Sequence, residues 1–152
     1  MDIIDLSRLE KVAQIQVGSS PAGIDTDKEN QIVYVSNPES KNISRIDLRE
    51  KTKTNFSAGN SPLAIALSRD RRFIYVSDWY ENRINVIRLD SLTIVDKINV
   101  GKSPAGLVTH PYSPHLIVAN KDSDSVSIVD LQTKEQIREI AVQKAPFGVS
   151  ID

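Results

Sequence analysis

Four short knots of the same make recur along the chain: VGSSPAG at 17–23, AGNSPLA at 58–64, VGKSPAG at 100–106 and VQKAPFG at 142–148. Their prolines, Pro21, Pro62, Pro104 and Pro146, stand 41, 42 and 42 residues apart. A fixed period in that range marks an array of similar stacked units, so the fold is decided within one unit and by how units meet. Two further markers keep step. YVSN at 34–37 returns as YVSD at 75–78 and as IVAN at 117–120, and an acidic residue closes an apolar run at Asp5, Asp47 and Asp130, where the second full copy has Arg88.

Within one unit, apolar and β-branched residues come in runs of four to seven bounded by turn residues, the pattern of short strands. From 63 onward the chain reads LAIALS, a charged turn, FIYVSD, the loop WYENR, INVIRL, the turn DSLT and IVDKINV: four strands. One segment is ambiguous. SRLEKVAQI at 7–15 has apolar residues at helical spacing, but the same register elsewhere holds SLTIVDKI, whose β-branched run suits a strand, so a strand is expected at both places.

A four-stranded antiparallel unit of about 42 residues cannot bury both faces alone, and radial stacking around an axis is the solution available to it. The expected fold is therefore an all-β propeller. Its units are the end of a blade at 1–21, blades at 22–62, 63–104 and 105–146, and a first strand at 147–152. Each knot is the crossover from the outermost strand of one blade to the innermost strand of the next. Gly18, Gly59 and Gly101 can take positive φ there, with the prolines fixing φ beside them. The sum is fifteen strands, or roughly 3.6 blades, fewer than a common ring. Three closures are compatible with that number: the remaining blades of a longer chain, further copies of this chain, or a four-bladed ring closed by joining the ends. The first is favoured.

The residues SPAGID, IVYVSN, NISRIDL and IQVG resemble the YVTN-type β-propeller repeat family of surface-layer and YncE-like propeller proteins, and the resemblance covers nearly the whole chain. It implies a propeller and an extracellular, cell-surface or periplasmic location. It is weak on activity, because such propellers include structural modules, binding proteins and relatives of quinoproteins. The chain departs from the pattern at Arg88, at Ala64 where the other copies carry glycine, and at THPYSPH, where a Pro-Asp-Gly turn is usual.

Chemistry-bearing motifs are few. The chain has no cysteine, which excludes disulfides and thiolate metal sites, and its formal charge is −1. VGKSP at 100–104 ends like a phosphate loop but lacks the earlier glycine, since position 96 is Asp96, and a strand follows instead of a helix. His110 and His115 share one turn and fall short of a metal set. Asp122 and Asp124 alternate as calcium ligands do, without the glycine and distal glutamate of the helical calcium loop. No nucleophile and base pair can be assembled, so neither catalytic residues nor a cofactor is expected. The arginines of RDRR at 69–72, with Arg83 and Arg88, form the one basic concentration, too little for a nucleic-acid face. No apolar run reaches the length of a membrane span.

The anomaly is SDWYENR at 77–83, which places the single tryptophan beside a tyrosine in a loop that reads SNPESKN and ANKDSDS in the neighbouring copies. The loop between second and third strands emerges on the same face as the crossover, so Trp79, Tyr80 and Arg83 are expected near Ser61 and Pro62. These are residue types enriched at binding hot spots. The competing reading folds Trp79 over the adjacent blade as packing, and it weighs slightly more. The expected function is a non-catalytic interaction module that binds protein or glycan through its loop face. The alternative is the propeller portion of an enzyme with its ligand in the central channel, but the first strands offer only Asp25, Thr26 and Thr109 there.

Overall fold

A computed structural model describes residues 1–151. Fourteen strands form one hairpin and three four-stranded antiparallel sheets. The leading hairpin is β1 (Asp2–Asp5) with β2 (Glu10–Gln14). The first blade is β3 (Ile24–Asp27), β4 (Ile32–Asn37), β5 (Asn42–Asp47) and β6 (Thr52–Ser57). The second is β7 (Pro62–Leu67), β8 (Phe73–Asp78), β9 (Arg83–Arg88) and β10 (Thr93–Asn99). The third is β11 (Pro104–Thr109), β12 (His115–Asn120), β13 (Ser125–Asp130) and β14 (Glu135–Ala141). Each sheet runs in sequence order, the meander of a propeller blade. The ambiguous stretch at 7–15 contributes β2, as the repeat register requires.

The middle strands of the second blade are apolar on both faces because that blade is sandwiched between two neighbours. Ile32, Tyr34, Ile43 and Phe56 of the first blade pack with Ile65, Ile74, Val76 and Ile87 of the second. The opposite face of the second blade, with Tyr75, Ile84, Val86 and Ile98, meets Leu107, Leu116, Val118 and Val129 of the third. Successive residues of β8, Ile74 and Tyr75, thus belong to different cores, as the period-2 alternation of a strand dictates. The outermost strands β2 and β14 are exposed throughout.

Near the axis, the serine of the YVS marker joins blades. The Ser36 hydroxyl accepts from the Gly23 N–H at 2.8 Å and donates to the Leu63 carbonyl of the next blade at 2.5 Å. Ser77 repeats this with Ala64 N–H at 2.8 Å and the Ala105 carbonyl at 3.5 Å. Ala119 occupies that place in the third blade and has no hydroxyl. The first-strand polar residues are spent in the same way. Asp25 accepts from the Leu67 N–H of the second blade at 2.7 Å, and the Thr109 hydroxyl of the third donates to the Leu67 carbonyl at 3.4 Å.

One expectation needs correction. The fifteenth strand does not form: residues 143–151 carry no strand, although the Phe147 carbonyl and Gly148 run beside Gly106 where a first strand would lie. A first strand is held by its second, and residues 143–151 have no paired strand among the described residues. Residue 152 lies outside the described residues. Of the three knot glycines, Gly59 alone has positive φ, at 123°, while in the other copies the residue before proline takes it: Ser20, Ser103 and Ala145. Gly18 and Gly101 are small for a different reason. A Cβ would stand 2.7 Å from the Asn37 side chain in one case and 2.6 Å from that of Asn120 in the other.

On the face away from the crossovers, an ion pair spans the first joint. Arg71 of the second blade makes a bidentate pair with Glu29 of the first and reaches Asp27 at 3.6 Å. Burial alone would raise the Asp27 carboxyl. Hydrogen bonds from the side chain and backbone of Asn30, with the Arg71 charge, outweigh it and hold the group below its ordinary range. Its contribution to stability is complete at neutral pH and fades as pH falls through that lowered value. No helix among the described residues is long and apolar enough to cross a membrane.

Candidate functional site

The loop that carries the aromatic pair is rigid because it is stapled to the crossovers on either side of it. Trp79–Glu81 form one 3₁₀ turn that Asn82 ends in the left-handed conformation, at φ 53°. Behind it, Asp78 is fully buried. One carboxylate oxygen accepts from the Ser61 N–H at 2.9 Å, and the other from the Asn60 N–H at 3.1 Å and the Asn85 amide at 3.0 Å, with Arg83 at 3.5 Å. Two backbone donors of the crossover that would otherwise be unpaired are satisfied by one charge. The turn holds the same crossover again through Glu81, which accepts from the Asn60 side chain, and through the Ser61 carbonyl, which accepts from the Trp79 N–H at 3.0 Å.

The following crossover is held from the other end of the turn. Asn82 accepts from the Ser103 N–H at 3.0 Å. Asp124 in the third blade, also left-handed, does the same for the Ala145 N–H at 2.8 Å. Asp122 accepts from the Ser103 hydroxyl at 2.6 Å. The alternating acids of KDSDS therefore fasten loops to each other.

The structure brings the five singled-out residues together and assigns them unequal duties. Pro62 is buried, Ser61 is tied to Asp78, and Arg83 is engaged by Asp78 and by Glu81 at 3.5 Å. Trp79 is half-buried. Its ring lies 6.3 Å from that of Phe147 and 5.3 Å from the Lys121 ammonium, so it does fold across the neighbouring blade. Tyr80 stands free, 77% exposed, and Phe147 is 60% exposed. Three aromatic rings thus lie on this face: Trp79 against Phe147 and Lys121, and the exposed Tyr80 next to it in the turn. Phe147 and Lys121 were not legible as members, because their approach depends on how adjacent blades dock.

On the opposite face, a cleft of about 620 Å³ opens between the second and third blades. Its rims are the turns Ser68–Asp70 and His110–Pro114, and its floor is Phe73, Tyr75 and Leu131. THPYSPH accounts for the shape of one rim. His110 stands where the first two blades have Asp27 and Ser68, and its Nδ1 accepts from the N–H groups of Tyr112 at 3.2 Å and Ser113 at 3.1 Å. His115 pairs with the Ser113 hydroxyl at 2.9 Å. Both rings are used within the turn, and among the described residues no three metal-ligating side chains converge.

A family model described as a YNCE-like β-propeller matches residues 26–115. Among solved structures, hydrazine synthase of Kuenenia stuttgartiensis is similar with a TM-score of 0.80 and 21% identity, over 90% of this chain and 42% of that one. A functionally unknown protein from Desulfotomaculum acetoxidans gives a TM-score of 0.83 and 16% identity over 94% and 49% of the two chains. The WD40 repeats of RRP9 give 0.75 and 13% over 86% and 41%. At these identities the likeness is one of fold, and the chain spans less than half the length of each. A search of curated proteins returned no match.

Proposed function

Because the chain belongs to the YNCE-like β-propeller family, whose fold is a rigid scaffold for exposed loops, we propose that it works as a non-catalytic interaction module and binds a protein partner through its crossover face. The observation that carries this reading is the aromatic surface of Trp79, Tyr80 and Phe147, held over a loop network whose backbone is fixed by Asp78. Tyrosine and tryptophan supply large contact area at low entropic cost, and a fixed loop has little ordering left to lose on binding. Exposed rings on a fixed turn suit a protein better than a small molecule; a glycan stacked on the rings is the rival occupant. An extracellular, cell-surface or periplasmic setting belongs to the same proposal.

Photo-crosslinking separates the possibilities. A benzophenone side chain placed at position 80 should capture a discrete protein in the source cells, and one at position 53, on an outer strand, should not. With that partner purified, Tyr80→Ala should weaken binding by about 1–2 kcal/mol while leaving the unfolding midpoint unchanged, because the ring is exposed. Equal crosslinking at both positions, or binding indifferent to Tyr80→Ala, would remove this face from the account. Capture of glycan alone would replace the protein partner with a sugar.

A further inference from the structure

The two joints between full blades are built from equivalent positions that carry different residues. At the first joint, Arg71 reaches across to Glu29, and its guanidinium also meets Asp27. Counting from the prolines of the knots, Asp70 of the second blade stands at the place of Glu29 and Ser113 of the third at the place of Arg71. One of the two acids is retained as Asp70, Ser68 stands in place of Asp27, and the bridging cation is missing. Where Arg71 fills the first joint, the second joint has the cleft.

The rest of the lining suits a cation on an apolar stem. Phe73, Tyr75 and Tyr112 bring aromatic surface, and Leu131 adds an aliphatic wall. Tyr75 is 6% exposed, lines the cleft, and its hydroxyl takes part in no hydrogen bond among the described residues. Burial, with the Asp70 charge adding to it, pushes this phenol up to about 12; like any phenol it is neutral at physiological pH, and its oxygen can accept. Asp70 uses one carboxylate oxygen for the Ser68 hydroxyl at 2.7 Å and the Arg72 N–H at 3.1 Å, and its second oxygen is uncommitted among the described residues. Hydrogen bonding to Ser68, opposed by partial burial and assisted by the Arg72 backbone and charge, holds the carboxyl below its ordinary range, so it is ionised at neutral pH. The cations nearby do not fill the site: Arg72 lies over the Phe73 ring at 5.8 Å, and Arg69 is an exposed rim residue with no acidic partner among the described residues.

We propose that the cleft between the second and third blades binds an organic cation, a guanidinium or ammonium group on an apolar stem, with Asp70 as its counter-charge and Phe73, Tyr75 and Tyr112 as its aromatic wall. The ligand takes the place that the Arg71 side chain holds at the first joint. Aromatic faces attract such groups through their quadrupole, most strongly where water is partly excluded.

The test is an NMR titration of the 152-residue chain with benzylamine, benzyl alcohol, benzoate and the tripeptide Gly-Arg-Gly, read at the amides of Asp70, Tyr112 and Ser113. Benzylamine should bind about tenfold more tightly than benzyl alcohol, and benzoate should not bind. Saturation by Gly-Arg-Gly at lower concentration than benzylamine would identify a peptide side chain as the source of the cation, and the reverse order a free amine. Asp70→Asn should weaken benzylamine about tenfold and leave benzyl alcohol alone. Ser113→Arg rebuilds the bridge of the first joint and should abolish benzylamine binding in a folded chain, which keeps the test decisive should Asp70→Asn unfold. Equal binding of benzyl alcohol, binding of none of the probes, or full benzylamine binding to folded Ser113→Arg would overturn the proposal.

Discussion

Replacing Asp78 by alanine is expected to lower the stability of the chain by about 3–5 kcal/mol, the cost of removing one member of a buried charge network. The carboxylate is fully buried and answers the N–H groups of Asn60 and Ser61, the Asn85 amide and Arg83 together. Alanine leaves those buried and part-buried donors without their acceptor, and each buried unpaired donor costs about 1–3 kcal/mol. Asp78→Asn should cost less, about 1–2 kcal/mol, since the neighbouring blades place Asn37 and Asn120 at the same point. It should still cost something, because the asparagine amide would face the Asn85 amide, donor against donor. Urea unfolding midpoints measure both. A midpoint unmoved by Asp78→Ala would show that the crossovers are held by something else.

Gly23→Ala should open the joint between the first and second blades at a cost of about 1–3 kcal/mol, the usual range for overpacking. A Cβ at Gly23 would stand 2.5 Å from the Leu63 carbonyl, a backbone atom that cannot swing aside. The chain contains its own comparison. Ala64 already carries that methyl group at the second joint, and there the serine clamp is longer: Ser77 to the Ala105 carbonyl is 3.5 Å, against 2.5 Å from Ser36 to the Leu63 carbonyl. The first joint should relax toward the geometry of the second, with loss of the Ser36 hydrogen bond. Ala64→Gly should be the milder change. Unfolding midpoints for the two variants settle the order, and a neutral Gly23→Ala would mean that the blades have slack the structure does not show.

The fold was legible because the repeat supplies several phased markers, and because strands such as β8 begin and end where their turn residues do. The repeat places the knot as a crossover, but what its glycines are for differs between copies, since only Gly59 has positive φ. A glycine reports that no side chain fits, not whether the reason is φ or space. At Gly18 and Gly101 it is the side chain of an asparagine on the second strand. The positive φ falls on Ser20, Ser103 and Ala145, residue types that do not announce it. At the site, the grouping of Trp79, Tyr80 and Arg83 with Ser61 and Pro62 followed from topology. The packing of Trp79 on Phe147 and Lys121 did not, since it depends on blade docking. The cleft was hidden for a similar reason: it arises where a bridge is missing, and only a position-by-position comparison of Arg71 with Ser113 carries a trace of it.

The crossover face is a preorganised platform whose loop backbone is fixed by side chains, the buried Asp78 foremost among them. Native-state amide hydrogen exchange tests it most directly. The amides of Asn60 and Ser61 should exchange nearly as slowly as strand amides of β8, although both lie in a loop. Those of Ser103 and Ala145, held by the more exposed Asn82 and Asp124, should exchange at rates between strand and open loop. Exchange at the rate of open loop tips would contradict it, since a mobile crossover face has no fixed aromatic surface to present.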